Sequence, residues 1–217
     1  VLANSANITI GALHLEGGGL NFTNLWFDVA TLRVVDDNAS LEGSVTLEND
    51  SNIELLLEDD TKGAGYQGGE LFVDGNITVG SNANFRTDTA DDDTSPPTDT
   101  NGFVELTGSS TQTISIPGST VDRIRLAQNA DVNLGSNLAV RELIAYDDSP
   151  FLSGPTISGS NTLTLTEDGS NFTGNLTIQS GTTVELSTSL DVAGDLMADG
   201  TINANGNDIN VAAFEVG

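Results

Sequence analysis

Apolar residues in this chain recur in pairs two positions apart: Ile8 and Ile10, Val45 and Leu47, Ile53 and Leu55, Leu71 and Val73, Leu163 and Leu165, Leu176 and Ile178, Val184 and Leu186, Leu190 and Val192. The residue between them is most often Thr, Glu or Asp. Side chains of a strand point alternately to its two faces, so this period of two predicts half-buried strands with one face in a core and the other in water. The runs are separated by Gly, Asn, Asp and Ser, which tolerate the left-handed backbone of tight turns. The pattern predicts many short strands.

The chain also repeats itself. Residues 31–55 match residues 162–186 without a gap, Thr31 falling on Thr162 and Leu55 on Leu186. Leu32, Val34, Leu41, Val45, Leu47 and Ile53 fall on Leu163, Leu165, Phe172, Leu176, Ile178 and Val184. The first copy then carries an insertion, since 16 positions separate Leu55 from Leu71 and 4 separate Leu186 from Leu190. Beyond it Leu71, Val73, Gly75 and Ile77 answer Leu190, Val192, Gly194 and Leu196, and Asn82-Ala83-Asn84 answers Asn203-Ala204-Asn205. A weaker match sets Leu2, Ile8, Ile10 and Leu13 against Leu134, Leu138, Val140 and Leu143, and Phe214-Glu215-Val216-Gly217 echoes Phe103-Val104-Glu105-Leu106. The whole of 1–217 reads as one continuous domain holding about one and two-thirds copies of a module of about 130 residues, 1–131 and a partial 132–217.

Two all-β architectures compete. Tandem antiparallel β-sandwiches predict longer strands, Asn-Gly hairpins and large aromatic core residues. A parallel β-helix, or β-solenoid, predicts short strands with aliphatic residues inward and Thr, Ser and Asn outward, which is the pattern here. Two segments leave that pattern and are expected as loop insertions: the glycine-rich 58–69 and the aspartate- and proline-bearing 87–101.

Composition narrows the chemistry. The 217 residues hold 32 Asp plus Glu against 6 Lys plus Arg, a formal charge of −26, which argues against nucleic acid as a partner because backbone phosphates are gripped by clustered Lys and Arg. Cysteine is absent and histidine occurs once, so disulfides, thiolate nucleophiles and Cys-type zinc sites fall away together. Aromatics make up 5%, which suits short aliphatic strands better than a sandwich core. No run approaches the roughly 18 apolar residues of a membrane span. Beginning at Val1 with no basic and apolar leader, the chain reads as a processed mature chain or a fragment.

From Val104 onward specific motifs appear: Gly108, Gln112 and Ile114; Ile124 and Leu126; Val132, Leu134, Leu138, Val140 and Leu143; then Gly159, Asn161, Thr162, Leu163 and Leu165. This succession resembles the coil pattern of large secreted surface and adhesin proteins of Bacteroidota, across residues 103–205 and, through the duplication, 31–86. Arg141-Glu142 stand where that pattern carries glycine. The resemblance implies a right-handed parallel β-helix exported to the cell surface, often by type IX secretion.

Catalysis on a β-helix needs carboxylates with a cation in a groove. Among Arg33, Lys62, Arg86, Arg123, Arg125 and Arg141, the neighbours Arg123 and Arg125 are two apart and share a strand face. They are read as a salt-bridged outer face, and His14 as a half-exposed strand position. Calcium takes six to eight oxygen ligands, so the densest acidic loop, Asp88, Asp91, Asp92, Asp93 and Asp99, is the candidate metal site. Asp36-Asp37, Glu58-Asp59-Asp60 and Asp147-Asp148 are weaker ones. None has the spacing of an EF-hand or a glycine-rich calcium repeat. Tyr66, on an inserted loop, and Trp26 are the candidate stacking platforms for a glycan. Asn-x-Ser/Thr occurs at Asn7, Asn21, Asn38, Asn49, Asn76, Asn171 and Asn175.

The expected function is a non-enzymatic structural module of an extracellular fibre, stalk or surface adhesin, requiring no cofactor and associating with itself or with further repeats of a longer parent chain. The alternative is a calcium-dependent adhesin domain that binds a glycan or a surface protein through 58–69 and 87–101. A polysaccharide-active β-helix enzyme would need a groove holding Arg123 or Arg125 beside several carboxylates. An ice-binding solenoid would need a flat threonine ladder, of which Thr111-Thr113 and Thr162-Thr164-Thr166 are fragments.

Overall fold

A computed structural model of the chain describes residues 2–3, 12–15, 20–22, 25–28, 31–35, 38–41, 45–48, 52–56, 70–81, 83–86, 103–118, 120–127, 129–145, 154–166 and 170–217. For the strands before residue 70 the description is of backbone and pairing.

Every pairing among the 24 described strands is parallel, and successive strands turn through three faces before the next begins. The first face stacks β1 (Leu2–Ala3), β3 (Leu20–Phe22), β6 (Asn38–Leu41), β9 (Glu70–Val73) and β12 (Phe103–Leu106). It continues through the second halves of β14 (Thr120–Leu126) and β16 (Leu138–Ala145), then β19 (Ser170–Phe172) and the first halves of β22 (Leu190–Ala198) and β24 (Ile209–Val216). The second face stacks β4 (Leu25–Asp28), β7 (Val45–Glu48), β10 (Ile77–Val79), β13 (Gln112–Ser115), β15 (Asp131–Leu134), β17 (Thr156–Gly159) and β20 (Leu176–Ile178), ending on the second halves of β22 and β24. The third stacks β2 (Ala12–Leu15), β5 (Thr31–Val35), β8 (Asn52–Leu56) and β11 (Asn84–Arg86) as a four-stranded sheet. It resumes with the first halves of β14 and β16, β18 (Thr162–Leu165), β21 (Thr183–Leu186) and β23 (Thr201–Asn203). This is a parallel β-solenoid, and the sandwich architecture is set aside.

One column of register partners runs through ten rungs of the first face: Leu2, Asn21, Ser40, Phe72, Glu105, Arg125, Ile144, Asn171, Asp191 and Asn210. A plain turn takes 19 or 20 residues, as from Asp191 to Asn210 or Glu105 to Arg125. Three turns are longer: 32 from Ser40 to Phe72, 33 from Phe72 to Glu105, and 27 from Ile144 to Asn171. The first two contain the expected insertions 58–69 and 87–101, and the third contains 146–153; the residues of all three lie outside the described set.

The duplicated stretch has duplicated register. Thr31 pairs with Asn52 as Thr162 pairs with Thr183, Ala39 with Leu71 as Ser170 with Leu190, and Val45 with Ile77 as Leu176 with Leu196. The matches outside that stretch are out of phase. Leu13 pairs with Leu32 as Leu138 pairs with Leu163, so Leu13 answers Leu138 and not Leu143. Asn84 pairs with Asn52 as Thr201 pairs with Thr183, so the Asn-Ala-Asn echo is not a structural one. Ile209 pairs with Leu190 as Val104 pairs with Leu71; residues 209–211, not 214–216, therefore stand where 104–106 stand. Corner segments differ in length between copies, and alignment by residue type cannot see them.

Alternation places the core inside the coil, with burial repeating every second residue in β15, β18 and β21. Inward side chains stack on their own kind from rung to rung: Leu138, Leu163 and Val184 form one buried column and Val132, Ile157, Ile178 and Ala198 another. A third runs Leu106, Leu126, Ala145, Phe172, Val192, where the small Ala145 admits the ring of Phe172 beside it. Phe172→Ala is therefore expected to lower unfolding free energy by about 3–5 kcal/mol, whereas Met197→Ala, at a half-exposed position, changes it by less than about 0.5 kcal/mol. Denaturant titration of both variants checks this; equal effects would contradict the assignment of the core.

Candidate functional site

The polar side chains that enter the coil act on the backbone of an adjacent rung. Gln112 is buried at the head of β13; its Nε2 donates to the carbonyls of Val73 at 2.8 Å and Gly75 at 2.7 Å, and its Oε1 accepts from Gly108 N at 2.8 Å. A Cβ at Gly108 would lie 2.5 Å from the Asp74 carbonyl oxygen and 2.6 Å from Gln112 Cδ, so glycine is what lets the amide in. This gives the Gly108–Gln112–Ile114 motif its physical role. Ser170 Oγ accepts from Leu143 N at 3.2 Å, and Thr182 Oγ1 donates to the Gly159 carbonyl at 3.0 Å. Where the chain bends between faces its amides move out of line with the ladder below, and a side-chain acceptor replaces the missing carbonyl. Asn76, Asn137 and Asn175 do so for Thr113 N (2.6 Å), Thr162 N (3.0 Å) and Asp195 N (2.8 Å). Two of these asparagines head Asn-x-Ser/Thr triplets, so those side chains serve the corners; Asn171, in a third, is exposed on β19.

The outer side of the first face holds the main meeting of unlike charges among the described residues. Arg123 and Arg125 do share a face of β14, as expected of residues two apart. Arg123 Nε lies 2.5 Å from Glu142 Oε2 one rung on, and Arg125 Nη1 lies 3.4 Å from Glu105 Oε2 one rung back. The Arg125 guanidinium sits 4.0 Å from the ring centroid of Phe103, whose ring meets Phe72 edge-on at 5.9 Å. By alternation Phe103 and Ile144 point away from the coil interior, yet both are buried. The two arginines are thus neutralised, and one is stacked. An anionic ligand would have to displace Glu105 or Glu142 to reach them.

On the third face Thr162, Thr183 and Thr201 align across three rungs. The neighbouring outward column reads Ala139, Thr164, Glu185, Asn203, so a carboxylate interrupts the hydroxyls. Thr111 and Thr113 lie beside the second face while Thr162, Thr164 and Thr166 lie beside the third; the two threonine fragments do not join. Amides of Asn205 and Asn203 donate to Glu185 at 3.0 and 2.5 Å and hold its carboxyl below the ordinary carboxylate value. A depressed folded-state pKa makes this contribution present above the unfolded pKa and lost as pH falls through the folded one.

Of the residues singled out from sequence, Asp88, Asp91, Asp92, Asp93, Asp99 and Tyr66 lie outside the described residues, as do 36–37, 58–60 and 147–148. Trp26 lies on β4 in register with Thr46. His14 lies on β2 beside Arg33, at the head of a register column His14, Arg33, Glu54, Arg86. Among the described residues no group of three His, Asp or Glu is placed to hold a metal ion. The corner amides were not foreseen as a group, although the spacing of Gly108 and Gln112 was visible.

Gln112→Leu leaves one buried donor and two carbonyls without this partner and is expected to lower stability by about 2–4 kcal/mol in denaturant titration. Gln112→Glu carries a signed pH dependence. Its carboxylate would face the carbonyls of Val73 and Gly75, which raises its folded pKa; the neutral acid, with a single O–H, can donate to one of them. Its stability relative to the parent should be best below about pH 4 and fall as pH rises through the raised pKa, and a flat difference from pH 4 to 8 would refute the clamp. Arg123→Ala, a partly exposed pair, should cost no more than about 1 kcal/mol by the same titration.

No family model, no curated protein and no solved structure matches this chain.

Proposed function

We propose that the chain is a non-enzymatic structural module, a rod segment of an extracellular fibre, stalk or surface adhesin. The observation that carries this reading is the register column that runs from Leu2 to Asn210 through ten rungs. Ten rungs about 4.8 Å apart make a rod roughly 43 Å long between first and last strand. Each rung is held by ladder hydrogen bonds along the axis and by the aliphatic columns inside, so stability grows with every neighbour added.

The outside supports the same role. Among the described outer positions Thr, Asn, Ser, Asp and Glu predominate, Arg123 and Arg125 are ion-paired, and the net charge of −26 keeps such rods hydrated and apart from one another. The extracellular place is proposed from the sequence resemblance of residues 103–205 and 31–86 to the coil pattern of Bacteroidota surface proteins.

Two measurements test the proposal. Antibody raised against the chain should label intact cells of the source organism, and labelling that needs lysis would remove the extracellular role. Incubation with a panel of polysaccharides should release no reducing ends, and turnover lost on Arg125→Ala would replace the structural reading with an enzymatic one.

A further inference from the structure

We infer that Asn205 is a site of spontaneous deamidation in the folded rod and that Glu185, one rung back, sets its rate. The reaction is hydrolysis of the side-chain amide through a cyclic imide, with water as the co-reactant.

Asn-Gly, the dipeptide in which no following side chain hinders attack of the backbone nitrogen on the asparagine amide, occurs at Asn101 and Asn205. Asn101 lies outside the described residues, whereas Asn205 and Gly206 form the centre of the turn between β23 and β24. Asn207 N closes that turn on the Ala204 carbonyl at 2.9 Å, and both central residues have positive φ, 53° for Asn205 and 88° for Gly206. Both are exposed, and a Cβ at Gly206 would meet nothing within 4 Å, so the turn stands clear of packing on that side. Exposure here is a property of corners and not of where the coil stops. Asn137, Ser160 and Ser187 lie at corners with rungs stacked on both sides and are exposed as well.

The same turn restrains the amide it exposes. Val140, Leu165 and Leu186 form one register column at the end of the third face. The first two carbonyls accept from the backbone one rung on, Thr166 N donating to Val140 and Ser187 N to Leu165, each at 2.9 Å. At Leu186 side chains of the turn donate: Asn205 Nδ2 at 3.2 Å and Asn207 Nδ2 at 3.0 Å. Asn205 Nδ2 also donates to Glu185 Oε2 at 3.0 Å, while Asn203 Nδ2 donates to Oε1 at 2.5 Å. Both acceptors of the Asn205 amide thus belong to the rung behind it, whose position β18 and β21 fix from the other side.

Ring closure requires Asn205 Cγ to turn onto Gly206 N. The new C–N bond forms as the bond from Cγ to Nδ2 breaks, and Nδ2 leaves as ammonia with the proton that Gly206 N gives up. Water then opens the imide at either carbonyl, giving aspartate or isoaspartate. The rotation draws Nδ2 away from Glu185 and Leu186, so both hydrogen bonds are given up on the way to the ring, the one to the carboxylate being the stronger. Glu185 is therefore a positioning residue that slows the reaction. In the aspartate product a carboxylate faces Glu185 and the Leu186 carbonyl with no donor between them, which releases the corner. Loss of ammonia makes the step one-way, so the extent of conversion records the age of each rod.

The full chain, incubated folded at mildly alkaline pH and mapped by mass spectrometry after digestion, tests this directly. The peptide that holds Asn205 should gain, with time, the mass difference between an amide and an acid. Glu185→Ala should raise that rate by about tenfold, the worth of one hydrogen bond to a charged group. Glu185→Gln keeps the shape and one acceptor but not the charge, and should raise it by a smaller factor; a rate equal to the parent's would reduce Glu185 to packing and overturn its role. Arg123→Ala, which breaks an ion pair on another face, should leave the rate at Asn205 unchanged, and a rise of the same size in that variant would mean general loosening and overturn the inference. Equal rates in the parent and Glu185→Ala overturn it too, as does a folded Glu185→Ala chain that converts at Asn101 and not at Asn205.

Discussion

The rest of the structure depends on one constraint: an inward side chain must meet, one turn later, a side chain it can stack on. Leu106, Leu126, Ala145, Phe172 and Val192 satisfy it along one column. Parallel pairing follows, since each turn re-enters a face in the same direction, and most outward positions are left without that demand, Phe103 and Ile144 on the first face being packed exceptions. The constraint acts on rungs and not on residue counts. A turn of 19 residues and one of 33 deliver the chain to the same column, so insertions are confined to corners and the core does not register them.

Corners create the second demand. A chain that bends three times per turn takes backbone amides out of line with the ladder, and a buried donor without an acceptor is destabilising. Asn76, Asn137 and Asn175 supply side-chain carbonyls at those bends, and Gln112 supplies both an acceptor and two donors. Such substitutes reach the backbone only where no Cβ stands in the way. A Cβ on Gly194 would fall 2.3 Å from Asn175 Oδ1, and one on Gly108 would meet Gln112. The abundance of Asn and Gly is therefore partly a property of the corners, and glycosylation signals read from Asn-x-Thr triplets overlap with it.

Much of the fold was legible because alternation and duplication report inward positions directly. Leu163 and Leu165, Val184 and Leu186 are buried as the period of two predicts, and the stretch 31–55 has the register of 162–186. Legibility ended where residue type stops tracking position. Phe214-Glu215-Val216 looks like Phe103-Val104-Glu105 yet lies on a different face, because a corner of different length intervenes. Phe103 and Ile144 look like core residues and are buried, but on the outer side of the coil beside Arg125. The meeting of Arg123 with Glu142 and Arg125 with Glu105 is a contact between rungs some 20 residues apart, which sequence proximity cannot reveal.

The same charge distribution gives the molecule its dimensionality. Carboxylates on the flanks repel a neighbouring rod at any lateral approach within a Debye length of about 8–10 Å, and the flanks offer little large apolar surface among the described residues in return. Along the axis the demand is the opposite one: Phe214 and Val216, at inward positions of β24, are 51% and 72% exposed where their register counterparts Ile114 and Ile116 are 2% and 1% exposed, so an inward position is buried only with a rung on either side of it.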